Sequence, residues 1–147
     1  MIRISSQFDS GAIEVVDASD ASNIRLRLRD DNAADVRQWF HFRLQGARAQ
    51  VCTLVFENAG QATFAGGWEG YRVVASYDRR NWFRLQSGQY DGQRYVFGLT
   101  PDFDSVYFAY FEPFPWERHL DLLGTADASP VATVSDLGAT PDGRDLN

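Results

Sequence analysis

The stretch Ile24-Arg25-Leu26-Arg27-Leu28-Arg29 alternates apolar and charged side chains without a fault. A period of two fits an extended strand with one dry and one wet face, because successive Cβ atoms of a strand point to opposite sides. A helix would scatter the same residues around its circumference. Trp39-Phe40-His41-Phe42-Arg43-Leu44 obeys the same rule, with Phe40, Phe42 and Leu44 on one face and Trp39, His41 and Arg43 on the other. Further strands are predicted at residues 13–16, 51–56, 71–77, 82–85, 95–99 and 106–111, which are rich in β-branched and aromatic types. Asp9-Ser10-Gly11, Asp30-Asp31-Asn32, Asp91-Gly92 and Pro101-Asp102 supply the reversals between them. The expected fold class is all-β, an antiparallel β-sandwich of jelly-roll-like kind, with the strand order left open.

One short helix is predicted near the C-terminal end. It starts at Pro115, places Trp116, Leu120 and Leu123 on one face, and ends at Gly124. Ser129-Pro130 turns the chain back to an extended form, so the expected division is a sandwich over residues 1–127 and a separate segment over 128–147. In that segment residues 131–137 read as a strand, Pro141-Asp142-Gly143 as a turn, and Arg144-Asp145-Leu146-Asn147 as the start of a returning strand that is cut short. A hairpin needs both arms and a covering layer to persist in water. Composition alone leaves a flexible tail equally open.

The formal net charge of −6 argues against general nucleic-acid binding, which depends on an excess of basic side chains. All the basic residues are Arg, which is weak evidence for function. A single cysteine, Cys52, cannot form an internal disulfide and points to a reducing compartment. The N-terminus has no apolar stretch of signal-peptide length, and the expected location is cytoplasmic, with no membrane partner.

Catalytic chemistry fails on the residues available. A hydrolytic zinc site takes about three protein ligands, commonly including a His-x-x-Glu pair. The two histidines, His41 and His119, are each followed three residues later by leucine, at Leu44 and Leu122. His41 reads as a strand-surface residue and His119 as a helix residue. Cys52 lies in an apolar strand without an adjacent base, and Ser5, Ser6, Ser76 and Ser105 lack a nucleophile-elbow setting. Asp30, Asp31, Asn32 and Asp35 read as a solvated turn, and Gly66-Gly67 as a flexible one. No catalytic, metal or cofactor-binding residue is assigned.

Aromatic density is the remaining signal, with eleven Phe, six Tyr and four Trp. Such rings exceed what one small core readily hides, so some are expected to face a partner. Trp68, Tyr71, Phe114, Trp116 and Arg118 are the candidate contact residues, because they join large rings or a forked donor to turn and corner positions. The partner could be a neighbouring domain, or a glycan or peptide bound by a free-standing module. Self-association is expected where such a face is uncovered.

Several segments carry a family resemblance: Phe8-Asp9-Ser10-Gly11-Ala12-Ile13-Glu14, Gln38-Trp39-Phe40-His41-Phe42-Arg43-Leu44, Gly70-Tyr71-Arg72 and Trp82-Phe83-Arg84. In their order and spacing, together with Val106-Tyr107-Phe108-Ala109 and Pro113-Phe114-Pro115-Trp116, they resemble the N-terminal domain of cytosolic-type zinc carboxypeptidases. The closing run Leu137-Gly138-Ala139-Thr140-Pro141-Asp142-Gly143-Arg144-Asp145-Leu146 resembles the opening hairpin of that family's catalytic domain. The resemblance implies a non-catalytic accessory domain, truncated at the start of the carboxypeptidase domain, that packs on it and frames substrate access. Parent enzymes of this kind hold zinc with two His and a Glu, use a further Glu as general base, and remove C-terminal residues, in several members glutamates. None of those residues maps onto this chain, which is therefore expected to have no activity by itself.

Overall fold

The computed structural model describes residues 1–147. It divides into two compact units, Met1–Pro113 and Phe114–Asn147. The division falls ahead of the helix and not after it, as the boundary at 127 had placed it.

The first unit is the expected sandwich. One five-stranded sheet runs β1 (Arg3–Ser5), β4 (His41–Gln45), β10 (Ser105–Ala109), β6 (Val74–Ser76) and β7 (Phe83–Arg84). The other runs β2 (Glu14–Asp17), β3 (Ile24–Arg27), β5 (Cys52–Phe56), β9 (Tyr95–Leu99) and β8 (Gln89–Tyr90). Pairing is antiparallel except between β3 and β5, whose parallel register sets Ile24 against Leu54 and Leu26 against Phe56. Strands β1 and β8 went unrecognised in the sequence because neither is long enough to show a period. The strand read at 71–77 shrinks to Val74–Ser76, because Tyr71 and Arg72 turn away to brace a corner.

The alternating segment behaves as its pattern demands. Ile24 and Leu26 are fully buried and Leu28 is 2% exposed, while Arg25 on the wet face pairs with Asp17 and Glu57 at 3.4 and 3.3 Å. Rings dominate the space between the sheets. Phe42 packs on Phe108 at 5.3 Å within one sheet, Phe56 on Phe97 at 5.3 Å within the other, and Phe97 meets Phe108 across the gap at 5.7 Å. Burying a side chain of this size contributes about 1.5–3 kcal/mol.

Polar groups inside this core are satisfied by specific side chains. Asn58, 4% exposed, accepts from the Leu28 N–H at 2.8 Å and donates to the Leu28 carbonyl at 3.0 Å. Its amide thereby continues the parallel β3–β5 ladder one rung past the Glu57 N–H, which donates to Leu26 O at 3.0 Å. Gly88 leaves room for the hydroxyl of Tyr95, 2.2 Å from where a Cβ would stand, and that hydroxyl donates to Tyr71 O at 2.9 Å.

The second unit holds helix α1 (Trp116–Asp127) and a two-stranded ladder of β11 (Gly138–Ala139) and β12 (Asp145–Leu146). The helix runs through Gly124, where an end was expected; a mid-helix glycine costs about 1 kcal/mol but breaks no hydrogen bond. It stops short of Ser129-Pro130. Residues 131–137 form no strand: ladder pairing starts only with Leu137 N–H to Leu146 O at 2.7 Å. The returning arm read as cut short does pair, over two residues.

Asn58→Ala is expected to strand both backbone groups of Leu28 in the core, at a cost of about 3 kcal/mol. Urea unfolding should show a lower midpoint at an unchanged slope.

Candidate docking surfaces

The outer face of the β1-β4-β10-β6-β7 sheet carries a second, smaller aromatic cluster. Loop residues 8–12 fold over it, joined to β4 by Ala12 N–H to His41 O at 2.9 Å and His41 N–H to Ala12 O at 3.1 Å. The loop is tight: a Cβ on Gly11 would lie 2.1 Å from Ser6 O. Ser10, held at φ 64°, places its hydroxyl 2.9 Å from His41 Nδ1 in a hydrogen bond, and its carbonyl accepts from Trp39 Nε1 at 2.7 Å. Phe8 and Trp82 meet the imidazole edge-on at 4.8 and 5.7 Å. From the other side, Ser76 and Asp78 build the turn that holds Arg79 at φ 63°. That turn puts the Arg79 guanidinium 5.6 Å from the Phe8 and Tyr107 ring centres.

His41 is therefore not the strand-surface residue expected from the alternation. It is 1% exposed, because the 8–12 loop and the surrounding rings cover a face that strand periodicity alone assigns to solvent. Burial, reinforced by the Arg79 charge, pushes its pKa from 6.5 down to about 4. Its Nε2 has no hydrogen-bond partner among the rings.

These surroundings do not fit zinc. The Nδ1 of His41 is engaged by Ser10 and its Nε2 is walled in by rings, His119 stacks on Trp116 at 5.1 Å, and no group of three or more His, Cys, Asp or Glu converges to hold a metal. Cys52 is buried, which pushes its thiol pKa up and leaves it an inert core residue.

Of the predicted contact residues, Trp68 is a correction. It is 1% exposed, donates its indole N–H to Ala59 O at 3.0 Å and packs on Tyr95 at 5.0 Å, so it belongs to the core. The Gly66-Gly67 pair before it is no flexible turn but part of a 3-10 turn, Ala65–Trp68. Tyr71 is half-buried: its hydroxyl donates to Tyr110 O and its ring stacks on Tyr110 at 4.9 Å, while burial raises its pKa. Phe114, Trp116 and Arg118 lie together in the second unit. The Arg118 guanidinium sits 5.4 Å over Phe114, which is 57% exposed, and Arg144 sits 5.3 Å over Trp116. Phe114, Trp116, His119, Thr140, Arg144 and Leu146 line a cavity of about 370 Å³. Phe64 and Phe111, 66% and 55% exposed, stand outside the predicted contact residues, because an exposed ring in a loop carries no periodic signal.

The second unit has almost no interior. Helix α1 contains no buried residue, and Leu120, Leu122, Val131, Leu137 and Leu146 are all exposed. An isolated helix of twelve residues is marginal in water, and a two-residue ladder is weaker still.

Comparison with known proteins gives a consistent result. The family described as cytosolic carboxypeptidase N-terminal domain matches residues 4–111. An uncharacterized protein of Zymomonas mobilis is 34% identical over 146 residues, 99% of this chain and 38% of that protein. A metallo-carboxypeptidase from Burkholderia cenocepacia matches with a TM-score of 0.95 at 46% identity, over 99% of this chain and 38% of its own. A metallo-carboxypeptidase from Pseudomonas aeruginosa, solved in complex with (2-guanidinoethylmercapto)succinic acid, matches with a TM-score of 0.91 at 44% identity, over 98% of this chain and 38% of its own. The chain thus spans well under half the length of these relatives.

A pH series tests the buried imidazole. Above pH 6.5 His41 is neutral in folded and unfolded chains alike; between 6.5 and about 4 only the unfolded chain takes up the proton, so stability falls as pH drops. The loss is at most about 3 kcal/mol and levels off below the folded value. The lowered carboxylates Asp17, Asp78 and Asp91 act below their ordinary 3.8, outside this window. His41→Leu should flatten the slope of unfolding free energy between pH 6.5 and 4, whatever it does to stability at neutral pH.

Proposed function

We propose, on the premise that this chain belongs to the family of cytosolic carboxypeptidase N-terminal domains, that it is the non-catalytic accessory domain of a zinc metallocarboxypeptidase. It packs on the catalytic domain of the same longer chain and frames substrate access there. That longer protein would hydrolyse C-terminal residues of peptides or proteins in the cytoplasm, with zinc and its ligands supplied by the catalytic domain. Residues 128–147 would form the linker and the opening hairpin of that domain.

The observation that carries this reading is the uncovered second unit. A helix with no fully buried residue and a hairpin of exposed strands call for a covering body, and the metallo-carboxypeptidases matched here have most of their length outside the shared segment. Phe114, Trp116 and Arg118 are the contact residues proposed on it. Tyr71 is proposed as a contact residue on the sandwich, where its hydroxyl donates to Tyr110 O. In this reading the domain contributes shape and contact area, with no group that handles a proton or a metal.

Hydrogen exchange tests the docking. In chain 1–147 alone, amides of Trp116–Asp127 should exchange at close to free-peptide rates while β4, β5 and β10 are strongly protected. When the chain replaces the matching segment of the Burkholderia cenocepacia metallo-carboxypeptidase, helix protection should rise by about 100-fold or more. Equal protection in both settings would count against a covering body. The chain alone should also show no carboxypeptidase turnover, with or without added zinc, and measurable turnover would overturn the non-catalytic reading.

A further inference from the structure

Several apolar side chains of the sandwich stay exposed outside the core that the two sheets share. Val36, Phe64 and Phe111 are 47%, 66% and 55% exposed. Phe111 lies 4.9 Å from Trp39 and 5.7 Å from Tyr110, ring centre to ring centre. Gln38 joins Phe64 to them: its Oε1 accepts from the Phe64 N–H at 3.0 Å, and its Nε2 donates to the Tyr110 hydroxyl at 3.3 Å. The Arg37 N–H donates to Thr63 Oγ1 at 2.8 Å, and Trp39 Nε1 is held by Ser10 O at 2.7 Å. Several polar atoms of this surface are thus held within the unit, although Arg37 Nε has no partner.

Beside these residues lies a cavity of about 390 Å³, whose lining includes Val36, Trp39, Arg29, Asp30 and Asp31. Asp30 is paired with Arg37 at 2.8 Å, whereas Asp31 accepts from the Ala33 N–H at 3.0 Å and forms no ion pair, with Arg29 in the same lining. The rim of the apolar surface is therefore anionic at Asp31.

A second exposed cluster, Tyr77 with Phe83 and Phe103, lies around the β6–β7 hairpin and the turn before β10. Position separates the two. The first cluster is built on Tyr110 and Phe111, two residues short of Pro113, where the first unit ends. A body joined through that exit is held beside this cluster at high effective concentration, which favours contact there over more distant parts of the surface.

We infer that Val36, Trp39, Phe64 and Phe111 form the surface on which the carboxypeptidase body of a longer chain docks, with a basic side chain of that body facing Asp31. The inference rests on the accessory-domain reading and adds to it a contact face on the sandwich itself. Apolar rings in the centre and a charge at the rim match the usual anatomy of a protein interface.

The test compares chain 1–147 with the same chain grafted in place of the matching segment of the Burkholderia cenocepacia enzyme. Phe64→Ala with Phe111→Ala should lower the melting temperature of the graft by about 5 °C or more and that of the chain alone by less than about 2 °C. Asp31→Arg should act in the same sense. An equal loss in both proteins would make the rings part of the sandwich's own packing and overturn the inference. So would a graft that melts as one unit yet is indifferent to the substitutions, which leaves the accessory-domain reading standing with a different contact face. A graft whose sandwich melts independently, at the temperature of the chain alone, overturns that reading together with the inference. A stable dimer of chain 1–147 that the two Phe substitutions dissolve assigns the surface to a second copy and also overturns it.

Discussion

Contact between rings across the two sheets is the interaction on which the rest of the structure depends. Phe40 reaches Phe56 at 4.7 Å and Phe97 reaches Phe108 at 5.7 Å, so each sheet supplies the cover for the other's dry face. A sheet with one apolar face must bury that face against another layer. Once the rings interdigitate, sheet spacing and strand register are set together, because a slip of one residue would turn every buried ring to the opposite face of its sheet. Trp68 extends the same packing beyond the strands, stacking on Phe40 at 6.4 Å and tying the Ala59 carbonyl into the core.

A core so rich in rings leaves polar atoms to be answered one at a time. Asn58 completes a ladder rung at Leu28, the Tyr95 hydroxyl reaches Tyr71 O through the space Gly88 leaves, and Ser76 and Asp78 hold the β6–β7 turn. The same economy shapes the outer face. His41 is kept neutral by burial and by Arg79 above it, and the tight 8–12 loop closes over it, so a residue type that often signals catalysis is here a packing element. The sandwich is thus covered on both faces of its β4 sheet at His41, while Phe64 and Phe111 stay exposed.

The second unit stands in contrast. Its helix has good local reasons to form, with Pro115 at the N-cap and Glu117 in the first turn, where a negative charge favours the helix dipole. Local reasons account for a helix but not for its persistence, which in proteins comes mainly from burying one face. Domain membership, the empty interior of residues 114–147 and the bare rings beside Pro113 all bear on one idea, that an accessory sandwich acts through surfaces completed by a larger body.

Much of the sandwich was legible in the amino-acid order because strand alternation is a local property: Ile24, Leu26 and Leu28 announce their buried face by spacing alone, and so do Phe42 and Leu44. Local patterning also shows that neither histidine opens a His-x-x-Glu pair, since Leu44 and Leu122 stand three residues on. It could not tell Trp68 from Phe64, two rings a few residues apart, one fully inside and one mostly outside, because that difference is set by the chain segments that come to lie over each. Nor could it see that loop 8–12 would fold back over His41, or that residues 131–137 would lack a partner strand. The order of residues by itself determined which strands have a dry face; tertiary structure alone decided which rings stay wet, because exposure depends on contacts between segments far apart in the chain, and no spacing within a segment encodes them.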